Sequence, residues 1–236
     1  MADVKNDKHL MNEKEAVAEV FSSEDEELET LPSKDAQSLK ANLSGKELIV
    51  EHASFPWRDM QITHEGKPAY FADISEFKTG RPDITLHKGG KEGHVVGASR
   101  FRFSRSFKVG VGPDDLSMNW IEMKRRGAFK SGVHIEWDGK AYSLRRAKSA
   151  EHGSTGLGKL LLSHFKVEED ATGRLVALYV SEVGPKRKMG TLKLMNGISQ
   201  DLEIVFVLGV TSWLERLSRY KKYAGSNGGG GGGGGG

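Results

Sequence analysis

Hydrophobic and polar positions alternate with a period of two over most of the chain, and the period changes only near its end. Short runs rich in β-branched and aromatic residues recur at Leu48 to Glu51, Met60 to Thr63, Ala69 to Ile74, Asp83 to His87, His94 to Phe103, Phe107 to Val111 and Met118 to Lys124. Val133 to Trp137, Ala141 to Arg145, Leu161 to Val167, Leu175 to Val180 and Met189 to Met195 extend the series. Alternation over such lengths, bounded by Gly, Pro, Asn and Asp, predicts strands. The turn residues predict hairpins: Glu65-Gly66-Lys67-Pro68, Asp138-Gly139-Lys140, and Thr172-Gly173 within Glu168 to Arg174.

Asp201 to Lys222, DLEIVFVLGVTSWLERLSRYKK, follows another rule. Leu202, Val205, Phe206, Gly209, Val210, Trp213 and Leu217 recur at helical spacing, while Ile204, Val207, Leu208 and Leu214 fill the opposite side of the first half. A helix that is apolar all round has to be buried all round. Asn196-Gly197 ends the last strand, Ser199 is the expected N-cap, and Asp201 and Glu203 begin the helix. Arg216, Arg219, Lys221 and Lys222 close it, an order of charge that suits the helix dipole. The wrapped part is expected to be Leu202 to Trp213, with Glu215 onward emerging.

A dozen short strands with no helix between them cannot make the crossovers of a parallel sheet, so the sheet is expected to be antiparallel. Closing that sheet around the helix removes its edges and covers the helix on every side. The predicted fold is therefore mainly β: a closed antiparallel barrel of about twelve strands around a central hydrophobic C-terminal helix at about 200–222. An open sheet with the helix on one face is the alternative, and it leaves the apolar back of the helix unexplained.

Charge divides the chain of 236 residues. The overall charge is +3, but residues 1–47 hold 6 Lys against 12 Asp or Glu, a net of −6, and residues 48–236 hold 29 basic against 20 acidic residues, a net of +9. The acidic stretch, with SSEDEELET at 22–30, has too little apolar surface to offset its ordering entropy. It is expected to be a disordered tail, residues 48–224 the folded domain, and residues 225–236, ending in poly-Gly, a flexible tail. There is no cysteine, which excludes disulfides and thiolate chemistry. Without a signal-type apolar region or a run of about 18 apolar residues, a cytoplasmic monomer is expected.

The order Asp83 to Gly89, His94 to Phe101, Trp120 to Arg125, the Trp137-Asp138-Gly139-Lys140 hairpin and the closing hydrophobic helix resembles fungal proteins with a tubby C-terminal-like domain. These are similar to the LURP-one-related and phospholipid scramblase families. The resemblance covers about residues 48 to 224 and lies in the pattern. It implies a twelve-stranded closed barrel around a central hydrophobic helix. For function it implies phosphoinositide binding through basic residues of the barrel wall, or action at membranes, without carrying individual basic residues onto positions of this chain. Ser212, Glu215, Arg216, Ser218 and Arg219 interrupt the helix and set it apart from a scramblase-type anchor.

Little else in the sequence speaks for chemistry. Gly153 to Lys159 fits GxxxxGK, but Leu160 stands where a magnesium-binding Ser or Thr belongs, and no helix pattern follows. The eight histidines show no metal-ligand spacing, Asp114-Asp115 follow Gly112-Pro113 as turn formers, and no serine sits in GxSxG. No catalytic residue, metal or cofactor is expected. Basic clusters carry the remaining pull: Arg100, Arg102 and Arg105 around Phe101 and Phe103, Lys124-Arg125-Arg126, Arg145-Arg146, and Lys186-Arg187-Lys188. The last three predict a lipid or phosphate site of Lys124, Arg125, Arg126, Arg145, Arg146, Lys186, Arg187 and Lys188, if the barrel brings them to one rim. The expected function is a non-enzymatic module that recognises phosphoinositide or other anionic phospholipid head groups at a membrane surface. A protein scaffold is the alternative, followed by a small-ligand carrier or enzyme. Nucleic acid is not expected, because the Arg and Phe alternation lacks the RNP pattern.

Overall fold

The computed structural model describes residues 45–53, 58–75, 80–102, 106–125, 132–147, 164–182 and 188–226, with backbone alone for Arg125, Arg146 and 220–226. Residues 1–44 and 227–236 and the GxxxxGK stretch lie outside the described residues; Gly45 to Glu47, expected in the acidic tail, belong instead to the first strand, and residues 225–226, expected in the flexible tail, to the C-terminal helix. The twelve strands are β1 (Gly45–His52), β2 (Met60–His64), β3 (Lys67–Ile74), β4 (Ile84–Lys88), β5 (Val95–Phe101), β6 (Phe107–Val111), β7 (Asn119–Arg125), β8 (Val133–Trp137), β9 (Lys140–Arg146), β10 (Phe165–Glu169), β11 (Leu175–Ser181) and β12 (Lys188–Met195). Helix α1 (Gln200–Ser226) follows.

Each strand pairs antiparallel with the next, and β12 pairs with β1 from Gly45↔Met195 to Glu51↔Lys188, which closes the barrel and excludes the open sheet. The period of two explains the closure: Leu48, Val50, Ile62, Tyr70, Ala72, Leu86, Val109, Met123, Ile135, Leu144 and Leu192 are buried. Two turns follow directly from their residues. Glu65-Gly66 and Asp138-Gly139 each place two consecutive residues at positive φ, from 49° to 74°, as a type I′ hairpin requires. The first turn is shorter than its sequence suggests, because Lys67 and Pro68 already belong to β3, with Pro68 opposite Thr63 beyond a register shift. The turn expected over Glu168 to Arg174 also narrows, since Glu168 and Glu169 complete β10. Described β10 begins at Phe165; Leu161 to Ser163 lie outside the described residues.

Ser199 caps α1: its hydroxyl accepts from the Leu202 amide at 3.3 Å and its carbonyl from the Glu203 amide at 2.9 Å. Residues 202–210 are all buried inside the barrel. Near its start, Glu203 accepts from the Tyr70 hydroxyl at 2.7 Å and from Lys46 at 2.6 Å. That pairing satisfies a carboxylate in an otherwise apolar stretch, and burial with the Glu203 contact pushes the Tyr70 hydroxyl far above its ordinary pKa. One turn on, Phe206 meets the Tyr142 ring edge to face at 5.8 Å. A glycine on the wall lets the helix in close: a Cβ on Gly97 would stand 2.9 Å from Leu208 Cδ1 and 3.0 Å from Ile204 Cγ2. Farther along, Gly209 faces Met123 and Leu144.

The barrel and α1 as far as Val210 form one compact unit, and from Thr211 the helix belongs to a second. Two expectations about the helix are corrected in that second part. Burial does not end at Trp213: Leu214 and Glu215 are buried, and Glu215 is satisfied by Arg219 one turn on, Nε to Oε1 2.7 Å. An internal ion pair lets a charged residue stay on a buried helix face. The helix also continues four residues past Lys222, so its last turn holds no basic residue, and the dipole argument does not apply to Lys221 and Lys222.

Candidate anion-binding end of the barrel

Because the strands run alternately up and down, their connections fall at two ends of the barrel. One end carries residues 65–66, 89–94, 112–118, 138–139, 170–174 and the link 196–199 into α1. The other carries the segments 53–59, 75–83, 102–106, 126–132, 147–164 and 182–187, longer in total. The sequence of the long connections holds eleven Lys or Arg against five Asp or Glu, a net of +6. The short connections hold two against six, a net of −4. Among the described residues the short connections keep their −4, whereas the long ones hold Arg58, Arg81 and Arg102 against Asp59, Asp83 and Glu182; the excess of the long ones lies in sequence outside the described residues.

The basic strand ends belong to the positive end. β7 finishes there on Lys124 and Arg125, β9 finishes there on Arg145 and Arg146, and β12 begins there on Lys188. Register ties the first two together: Val133 of β8 pairs with Arg125 on one side and with Leu144 on the other. They are two strand spacings apart, about 10 Å. Arg146 pairs in turn with Phe165, and β11 carries the row on to β12. Arg126, Lys186 and Arg187 lie outside the described residues, in the connections 126–132 and 182–187 that depart from the same end.

Acidic partners divide the basic residues into held and open ones. Arg145 Nε donates to Glu168 Oε2 at 3.0 Å, and Lys166 Nζ lies 3.0 Å from Glu168 Oε1, so one carboxylate serves two cations. Lys188 lies 2.8 Å from Glu182, whose other oxygen accepts from Thr191 at 2.9 Å. That lysine, with the threonine hydroxyl, holds the Glu182 carboxyl below its ordinary pKa despite burial. Arg102 pairs with Glu122 at 3.1 Å. Arg100 does not serve this end: it lies over the Trp120 ring at 5.5 Å and reaches Asp115 of the short-turn end at 2.7 Å. Lys124 is exposed and enters none of the described ion pairs. The acids Glu168 and Glu182 were missed by counting basic clusters; the alternation Lys166, Glu168 on one strand face was the signal for the first.

The other candidate chemistry resolves into structure. His87 Nδ1 lies 2.8 Å from the Gly93 carbonyl, and His164 Nδ1 accepts from the Ser181 amide at 3.2 Å. Ser143, His134 and Asp170 meet on the outer wall, but Ser143 donates to Asp170, and His134 Nδ1 lies 3.2 Å from the same carboxylate. A nucleophilic triad needs the imidazole between serine and acid, so this trio lacks its order. Asp114 accepts from the Leu116 and Ser117 amides at 3.0 Å each, the turn role expected of it, and the Ser117 hydroxyl chiefly holds its carboxyl below the ordinary range. Among the described residues no group of three His, Asp or Glu could hold a metal ion, and no helix is long and apolar enough to cross a membrane. Set against family models, curated proteins and solved structures, the chain matches none of them.

Proposed function

We propose that the protein is a non-enzymatic binding module whose positive barrel end engages the phosphate groups of anionic phospholipids, phosphoinositides among them, in reversible association with a membrane surface. The observation that carries this reading is convergence: the strand-end clusters of β7, β9 and β12 share the end whose connections carry +6, opposite an end that carries −4. A difference in net charge between the two ends orients a protein before contact as well as holding it afterwards. The resemblance to tubby-like and scramblase-type proteins supports the same partner. Arg145 and Lys188 are engaged by Glu168 and Glu182, while Lys124 is exposed and enters none of the described ion pairs, which leaves it the better contact for phosphate.

Each basic side chain near an anionic leaflet contributes about 1 kcal/mol. The variant Lys124→Glu/Arg125→Glu/Arg146→Glu, which touches none of the described ion pairs, is therefore expected to weaken binding to vesicles of phosphatidylcholine with phosphatidylserine by about a hundredfold or more. Raising salt weakens the wild type progressively and the variant much less. Cosedimentation at two salt concentrations measures both. Wild-type binding that is equal on phosphatidylcholine alone, or a variant that binds like the wild type, would falsify the reading.

A further inference from the structure

Where β9 meets β10, two cations stand side by side. Arg145 pairs directly with Lys166, and alternation puts both side chains on the outer wall, since Leu144, Phe165 and Val167 are buried in the core. Like charges directly opposite one another are unfavourable. One carboxylate relieves both: Glu168 meets Lys166 on Oε1 at 3.0 Å and accepts from Arg145 Nε on Oε2 at 3.0 Å. The two cations are not held alike. The side chain of Lys166 is 11% exposed and that of Arg145 49%, so the arginine is the one a ligand reaches. If Arg145 leaves, Glu168 keeps its lysine and is not stranded as an unpaired carboxylate.

On its β8 side Arg145 neighbours Gly132, where a Cβ would stand 3.5 Å from the arginine Cβ; glycine offers no side chain to bar a turn toward β7. Lys124 of β7 lies in that direction. It is exposed, enters none of the described ion pairs, and shares a row with His134 and Ser143. Register puts the Lys124 and Arg145 Cα atoms about 12 Å apart, a span that two long side chains close around one phosphate. The acids between them are engaged: Glu122 by Arg102, Asp170 by Ser143 and His134, and Glu136 by His134. Arg145 changes partner only for an anion that binds it better than Glu168 does. A phosphodiester or a carboxylate carries a single negative charge, like Glu168, and gains little over a carboxylate already in place. A phosphomonoester carries about −1.5 to −2 at neutral pH with three acceptor oxygens, and the arginine fork takes two of them.

We propose that Glu168 is a displaceable counter-ion that makes this outer-wall site selective for phosphomonoester lipid head groups, which draw Arg145 away from Glu168 and bind it together with Lys124. The inference rests on the reading that the positive end faces anionic lipid, and names the head-group chemistry and the residue that selects it.

The experiment compares phosphatidylcholine vesicles containing phosphatidic acid, a phosphomonoester, with vesicles containing phosphatidylserine, mixed to equal surface potential. The wild type is expected to bind phosphatidic acid about fivefold more tightly, the effect of one further basic contact. Glu168→Gln releases Arg145 to any anion, so binding to phosphatidylserine rises about fivefold and the preference narrows. Removing a negative charge would by itself raise binding, so the same substitution is made beside Arg145→Met. With no arginine to release, the gain is expected to fall away; an equal gain overturns the proposal, as does a preference that survives Glu168→Gln. Arg145→Lys keeps the charge without the fork and tests the proposal even if Glu168→Gln folds poorly. It is expected to hold phosphatidylserine binding and lose the preference for phosphatidic acid; a retained preference overturns the proposal. Equal binding of the wild type to both lipids, lost in the charge-reversal variant above, overturns selectivity and leaves the electrostatic reading standing. Wild type that ignores both kinds of vesicle overturns both. Soluble glycerol 3-phosphate bound as tightly as phosphatidic acid vesicles overturns the assignment to lipid.

Discussion

Phe206→Asp abolishes cooperative unfolding of the barrel domain. Phe206 has no exposed surface, and its ring meets Tyr142 edge to face inside the barrel. Removing a buried phenyl ring costs about 3–5 kcal/mol in lost transfer energy and cavity. Placing a carboxylate there adds several kcal/mol more, since its described surroundings are aromatic and aliphatic. The sum exceeds much of the roughly 5–15 kcal/mol that holds a domain of this size together. Near-ultraviolet circular dichroism against temperature is the measurement. A sharp transition close to that of the wild type would mean that Phe206 is not central to the core and that the helix is not the body the barrel is built around.

Gly209 separates charge from volume at the same place. A Cβ at this position would stand 3.3 Å from Met123 Cε and 3.6 Å from Leu144 Cδ1, the nearest atoms of the wall. The methionine methyl is the flexible end of an adaptable side chain and can give by a few tenths of an ångström. Against that small repacking stands a gain of up to about 1 kcal/mol from replacing glycine with alanine in a helix interior. Gly209→Ala is therefore expected to fold with stability within about 1 kcal/mol of the wild type. Gly209→Asp puts a carboxylate against the thioether and the leucine, and is expected to unfold the domain as Phe206→Asp does. Denaturant midpoints of the pair decide the matter. If the alanine variant were as damaged as the aspartate one, the wall would be too close for the packing described; if both were benign, residue 209 would not face the wall.

The sequence was a good guide wherever structure is local. Alternation located all twelve strands, Asp138-Gly139 announced a type I′ turn, and Ser199 announced the start of α1. Legibility failed where a partner is far away in sequence. Glu203 reads as a dipole acid, yet its carboxylate bonds Tyr70 and Lys46, 133 and 157 residues distant. Nothing local announces that a helical acid is also the bond between helix and wall. The end of α1 was misjudged because Glu215 and Arg219 look like an emerging polar face, although they pair with each other and Glu215 stays buried.

The candidate site was half legible in the same sense. Lys124-Arg125, Arg145-Arg146 and Lys188 could be counted onto the ends of β7 and β9 and the start of β12. Only neighbour-to-neighbour antiparallel pairing all the way around turns that count into a shared end of one barrel. The acids that restrain Arg145 and Lys188 come from β10 and from the segment after β11, and cross-strand register decides which acid meets which base. Net charge per cluster therefore overstated what Arg145 and Lys188 can offer a ligand and could not single out Lys124.

The most direct test of which end meets the membrane uses the absence of cysteine from the chain. Lys124→Cys labels the positive end, and Leu116→Cys, a fully exposed position in the short-turn connection 112–118, labels the opposite one. Each variant carries one environment-sensitive fluorophore and is mixed with phosphatidylcholine/phosphatidylserine vesicles at low salt. The account predicts a blue shift and quenching by lipid-borne spin labels at position 124 and neither at position 116. A response at 116 with none at 124 would contradict it.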